Sequence, residues 1–131
     1  LRHVHLKDYA VHPTPSGYRL VRCALGSGVV DWPSLLPLIE RQAPQVEACI
    51  ELGAATARHI RLYEGDYWGT YAPRPLAGVI EALRDLHRAA RPAGEEWRTP
   101  HERGAAPGAR AAYELQQLDA SVAYLRRLGR L

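Results

Sequence analysis

Apolar and polar positions alternate at the start of the chain: Val4 and Leu6 fall on one face, His3, His5 and Lys7 on the other. A period of two predicts a strand over residues 2–7. Its second face is rich in nitrogen, which suits a barrel strand whose inner face ends at an active site. Residues 8–30 carry Pro13, Pro15, Gly17, Gly26 and Gly28 and predict a long loop. Asp31 then supplies an N-cap, and Trp32-Pro33 open a helix to about Gln42. Leu35, Leu36 and Ile39 form its apolar face, and Pro37, which removes one intrahelical hydrogen bond, is expected to bend it. After Pro44, residues 46–50 predict a second strand, with Val46, Ala48 and Ile50 on one face and Glu47, Cys49 and Glu51 on the other. Strand, loop, helix and strand predict one βαβ unit with parallel strands and a right-handed connection.

The remainder reads as mainly helical. Residues 54–63 form a short amphipathic segment, and 64–75 an aromatic-rich loop. Residues 76–90 place Leu76, Val79, Ile80, Leu83 and Leu86 at helical spacing. Residues 92–108 are polar and rich in Pro and Gly. A last helix over 109–128 carries Leu115, Leu118, Val122 and Leu125 on one side and stops at Gly129.

The 131 residues are enough for one domain with one core. Apolar residues at 47% against 24% charged predict a globular chain rather than a disordered one. The net charge of +3 is an arginine excess, since Lys7 is the sole lysine. Acids are interleaved with those arginines, so neither a nucleic-acid patch nor a nucleic-acid partner is indicated. Cys23 and Cys49 form no CxxC pair or disulfide framework, and a reduced, cytoplasmic compartment is expected. No apolar run reaches the ~18 residues that span a bilayer, so no membrane partner is expected. The chain has no methionine and begins inside a predicted strand, which suggests the C-terminal piece of a longer protein.

His5 and Glu51 stand at the C-terminal ends of the two predicted strands. In a parallel unit both project at the same rim, where barrel active sites lie. One imidazole and one carboxylate can share a divalent cation. Each also has a plainer reading, as a hydrogen-bonded surface histidine and a carboxylate capping the following helix. Lys7 is a substrate contact or one arm of a rim salt bridge. His3 reads as packed or partnered, and Glu47, near the bottom of its strand, as structural. Arg22 would lower the thiol pKa of its neighbour Cys23, but no base accompanies that cysteine, so no nucleophile is assigned. Tyr67, Trp68 and Tyr71 form either a sugar-stacking lid or packing for the C-terminal helices. Arg98 and the stretch Thr99-Pro100-His101-Glu102-Arg103 read as a loop of mixed charge with no defined chemistry.

The order of these features is more specific than any one of them. His5-Leu6-Lys7-Asp8, Arg22 ahead of Gly26-Ser27-Gly28, Val29-Val30-Asp31-Trp32, and Ile50-Glu51 after a short apolar strand form a string. It resembles the xylose isomerase-like TIM-barrel family of sugar phosphate isomerases and epimerases, whose superfamily also holds inosose dehydratases and apurinic endonucleases. The resemblance implies an α/β fold: the last two βα units of a (β/α)8 barrel over 1–75, then a helical C-terminal extension over 76–131. It implies that His5 and Glu51 bind a divalent metal ion (Mn, Mg, Co or Zn), that Glu51 also moves a proton, and that Arg22 contacts substrate, with Lys7 beside it. The endonucleases carry a metal-binding histidine where Arg22 stands, which turns the expectation from DNA towards a small sugar or sugar phosphate. A homo-oligomer is compatible with it. The family's other metal ligands belong to earlier strands.

Physical chemistry supports such a site. Removing a proton next to a carbonyl leaves an enediolate, whose charge a divalent cation stabilises while carboxylates shuttle the proton. The planar donor fork of an arginine fixes a hydroxyl or phosphate. The expected function is thus an isomerase or epimerase in the intact protein. The alternatives are a dehydratase of the inosose type, which begins with the same proton abstraction, and a non-catalytic barrel domain used for binding or assembly. The isolated chain is expected to be inactive and to bind divalent metal weakly.

Overall fold

The computed structural model describes residues 2–53 and 55–131. Leu1, and Ala54 at the head of the expected 54–63 segment, lie outside them. Among the described residues the elements run β1 (His3–Leu6), β2 (Asp8–Thr14), β3 (Gly17–Cys23), α1 (Trp32–Gln42), β4 (Glu47–Ile50), β5 (Arg58–Ile60), a 3₁₀ turn (Gly65–Thr70), α2 (Leu76–Ala89) and α3 (Pro107–Arg127). They form a small mixed α/β structure with two separate sheets, β1–β4 and β2–β3–β5, and no closed barrel. No helix among the described residues is long and apolar enough to cross a membrane.

The βαβ unit forms as its periodicity predicts. β1 and β4 pair in parallel, with His3 opposite Glu47, Val4 opposite Ala48, His5 opposite Cys49 and Leu6 opposite Ile50. Asp31 caps α1 by accepting from the Ser34 N–H at 3.2 Å, and the helix continues through Pro37. The apolar face of the sheet packs on that helix: Leu6, Leu25, Trp32 and Leu36 form the core, with Val4, Val30, Leu35 and Ile50 around it. Leu125 of α3 closes the same core.

Residues 8–30 are not one long loop. Their first two-thirds form an antiparallel hairpin, in which Asp8 pairs with Cys23, Tyr9 with Arg22 and His12 with Arg19. No alternation was visible because both faces carry polar residues and yet are covered: Asp8, Ala10, Val11 and His12 are all buried. Pro13 is tolerated because β2 is an edge strand of its sheet. The described residues 55–63 are likewise not helical, since β5 within them pairs with β3, Tyr18 opposite Ile60. A three-residue run has too weak an intrinsic preference to resist a free strand edge.

The stripe expected on α3 is also only half right. Leu125 is buried, but Leu115 remains 59% exposed, and the fully buried residue of the helix is Ser121. The Ser121 hydroxyl accepts from the Leu25 N–H at 3.0 Å and donates to the Gln117 carbonyl at 2.7 Å, while the Gln117 side chain accepts from the Ala24 N–H at 2.8 Å. The helix therefore meets the chain through polar groups that satisfy the backbone leaving β3. In α2, Val79, Leu83 and Leu86 line a groove with Leu62 and Trp68, and Leu76 stays in solvent.

Candidate functional site

The end of β1 places two side chains of one face, His5 and Lys7, beside Glu51. The Glu51 N–H donates to the Leu6 carbonyl at 3.0 Å, which extends the parallel ladder and sets Glu51 next to Lys7. His5 lies diagonally across from Glu51, within reach of long side chains. Its Nδ1 contacts Glu51 Oε2. Lys7 Nζ stands 2.7 Å from Glu51 Oε1. Arg22 reaches the same oxygen from the hairpin, Nη1 to Oε1 at 3.2 Å. The four residues that the sequence singled out, His5, Lys7, Arg22 and Glu51, thus form one cluster around one carboxylate.

Arg22 is held from three directions. Its Nη1 also donates to the Leu52 carbonyl at 2.5 Å, and its Nη2 donates to the Tyr9 hydroxyl at 3.0 Å. Tyr9 is its cross-strand partner, so both side chains rise on one face of the hairpin. Sequence reasoning missed Tyr9 because it lay in a segment read as loop, where polar residues on both faces hid the strand.

Electrostatics follow from the ring of donors. The Lys7 ammonium, the His5 ring and the charge of Arg22 hold the Glu51 carboxyl down at about 2. The carboxylate is ionised at any ordinary pH, although 32% of its side chain is open to solvent. In this arrangement His5 Nδ1 must carry the proton, because an ionised carboxylate only accepts. In the neutral form of the ring Nε2 keeps its lone pair and is the nitrogen open to a cation, with Glu51 orienting the ring. The donors fit a divalent cation in kind and fall short in number: among the described residues no three His, Cys, Asp or Glu side chains come together.

Asp8 anchors the loop behind this cluster. It is fully buried. Its carboxylate accepts from the backbone N–H groups of Tyr9 at 2.9 Å, Gly26 at 2.9 Å, Gly28 at 3.2 Å and Val30 at 3.2 Å, and from the Trp32 indole at 3.0 Å. The Gly-Ser-Gly string is thus folded around a buried carboxylate. A Cβ on Gly28 would stand 2.1 Å from Asp8 Oδ1, and Gly26 adopts a φ of 80°.

His3 pairs with Glu47 at 3.1 Å, both exposed. Cys23 corrects its reading: burial, then the charge of Asp8, pushes its thiol up to about 12. The two residues are cross-strand partners, so Cys23 faces Asp8 and turns away from Arg22. Glu51 caps no helix, because β5 is the next element. Tyr67, Trp68 and Tyr71 pack on one another, with ring centroids 5.2–5.9 Å apart. Thr99 and Glu102 form a reciprocal pair, the Thr99 N–H donating to Glu102 at 3.1 Å and the Glu102 N–H to the Thr99 hydroxyl at 3.3 Å. The same two side chains bind the Ala55 carbonyl and the Ala57 N–H, fixing the approach to β5.

Comparison of the chain with protein-family models, with curated proteins and with solved structures gives no match.

Proposed function

We propose that this chain supplies part of a divalent-metal-dependent site for sugar or sugar phosphate isomerisation or epimerisation, with its remaining ligands contributed from outside the chain. The observation that carries the reading is the meeting of His5 and Glu51 at the C-terminal end of parallel β1 and β4, with Lys7 and Arg22 on the same carboxylate. The resemblance to the last two βα units of a xylose isomerase-like barrel supports it. A divalent cation would supply Lewis-acid stabilisation of negative charge on adjacent substrate oxygens.

The chain's own residues divide the remaining work. Glu51 accepts the proton from the carbon beside the carbonyl. A carboxylate held near 2 is a poor base at neutral pH. Substrate must therefore draw Lys7 or Arg22 off Glu51, which frees the base and gives the substrate oxygens a cationic partner in one movement. Tyr9 holds the far edge of the Arg22 guanidinium during that exchange.

The test is exchange of carbon-bound substrate hydrogen with solvent deuterium, catalysed by the intact protein with manganese over a panel of sugars and sugar phosphates. Glu51→Gln should abolish the exchange and His5→Ala should make it manganese-independent or absent. Exchange that survives Glu51→Gln at the wild-type rate overturns the assignment. Loss of carbon-bound hydroxyl as water in the same assay would mark a dehydratase.

A second reading rests on the same geometry. Both Glu51 oxygens are occupied by protein donors, which suits an ion-pair network that ties β1, β3 and β4 together in a non-catalytic binding domain. On that reading Glu51→Gln lowers stability, and the intact protein exchanges no substrate hydrogen.

A further inference from the structure

The hairpin has a second polar face. His12 and Arg19 are cross-strand partners, and their side chains stand opposite the face that carries Tyr9 and Arg22. They line an open cavity of about 520 Å³ whose far side is formed by Pro92 and residues 94–98. That volume lies within the ~300–1,000 Å³ of ordinary small-molecule sites.

Three groups in the cavity have unused bonding capacity. His12 is 6% exposed, and no hydrogen bond joins its ring to another group among the described residues. Burial lowers its pKa, so the ring is neutral and offers one donor and one acceptor. The Arg19 guanidinium carbon stands over the Trp97 ring, 4.1 Å from its centroid. No hydrogen bond or carboxylate among the described residues takes up its N–H groups, so they remain available to a ligand. Glu95 also lines the cavity, its carboxylate bonded to no described group. The other charged pair there is already satisfied: Arg98 donates twice to Glu96, at 3.0 and 2.8 Å.

We propose that this cavity is a ligand site that holds a carboxylate or phosphate group on Arg19 and His12. An arginine held over a ring, with its N–H groups unpaired, offers the planar fork that matches such an oxyanion, and the neutral imidazole beside it adds one N–H donor. Glu95 selects for occupants that also carry a hydroxyl or amine hydrogen, because it repels a bare anion and accepts from a donor. The ligand class is a hydroxy- or amino-substituted carboxylate or phosphate ester. The site is independent of the Glu51 cluster, on the opposite face of the hairpin.

Titration of the ¹⁵N-labelled chain at neutral pH and constant ionic strength tests it, with inorganic phosphate in one arm and lactate in the other. The Trp97 indole and Arg19 Nε–H resonances should shift and saturate at millimolar concentrations, while the Trp68 indole stays in place. Saturation in one arm alone identifies the oxyanion; saturation in both leaves the site open to either. Arg19→Gln should weaken binding at least about tenfold, and Arg19→Lys, which keeps the charge without the fork, severalfold. Glu95→Gln should tighten binding of phosphate, and Arg84→Gln on α2 should leave it unchanged. Linear shifts without saturation in both arms overturn the proposal. So does wild-type affinity in both Arg19 variants, or equal loss in Arg84→Gln, which would reduce Arg19 to a cation stacked on tryptophan.

Discussion

The Trp32 indole N–H donates to Asp8 Oδ2 at 3.0 Å, joining the first residue of β2 to the first residue of α1 across the glycine loop. Besides the Tyr9 N–H of β2, the same carboxylate accepts from the loop N–H groups of Gly26, Gly28 and Val30, so Asp8 satisfies the donors of a loop that has no strand or helix of its own. Asp8→Asn should destabilise the protein by about 3 kcal/mol, because the amide turns a donor towards donors and leaves buried N–H groups unpaired. Trp32→Phe removes one bond and keeps most of the packing, and should cost about 1–2 kcal/mol. Urea unfolding reads both; an unchanged midpoint in Asp8→Asn would remove the carboxylate from its place as the loop's anchor.

Two glycines separate crowding from entropy. A methyl on Gly28 would meet Asp8 Oδ1 at 2.1 Å and the Tyr9 carbonyl at 2.5 Å, and neither the buried carboxylate nor the strand backbone can retreat. Gly28→Ala should therefore cost about 2 kcal/mol or more. Gly78, inside α2, has nothing within 4 Å of such a methyl. Gly78→Ala should stabilise by about 0.5–1 kcal/mol, since alanine loses less backbone freedom on entering a helix. Chemical denaturation of both variants should give shifts of opposite sign. Shifts of the same sign would contradict the crowding around Gly28.

What was legible in the sequence follows from which residues carry periodicity. β1, α1 and β4 have one apolar face each, so alternation and helical spacing revealed them, and with them the shared edge of His5, Lys7 and Glu51. The hairpin was hidden because its buried positions include Asp8, whose partners come from a loop many positions away, and His12, a polar residue at a covered strand position. Tyr9 was lost with it, since its role depends on facing Arg22 across a segment whose prolines and glycines read as loop. On α3 the contact runs through Ser121, whose burial depends on a backbone N–H of Leu25 rather than on apolar area. Pattern reading detects apolar burial, and this structure places much of its specificity in buried polar groups.

The two thiols should differ sharply in reactivity. Cys49 is exposed on the ligand-bearing face of β4, whereas Cys23 is shielded and its thiol is pushed up to about 12 by burial and by Asp8. Only the thiolate attacks alkylating and disulfide reagents. At mildly alkaline pH, one equivalent of iodoacetamide should label Cys49, with Cys23 protected until the protein unfolds. Equal labelling rates in the native protein would mean that Arg22, not Asp8, dominates the field at Cys23.

The Glu51 cluster makes its own statement about pH. Its carboxyl titrates at about 2 in the folded chain against an ordinary 4.5, so the unfolded chain binds more protons between those values. The stabilisation from its partners is complete above 4.5 and is lost as pH falls towards 2. Glu51→Gln removes that contribution, so the gap in urea midpoint between the two proteins should be constant at neutral pH and close progressively below 4.5. Glu96, held at about 2 by Arg98, keeps its own acid-sensitive share in both proteins and does not blur the difference. Lys7→Ala adds a direct check: with its largest partner gone, the Glu51 carboxyl carbon should titrate at a higher pH by ¹³C NMR. That upward movement is what a proton carrier needs, because the base becomes competent only when Lys7 leaves it. A Glu51 titration that Lys7→Ala leaves unmoved would assign the low value to His5 and Arg22, and would take Lys7 out of the proposed exchange with substrate.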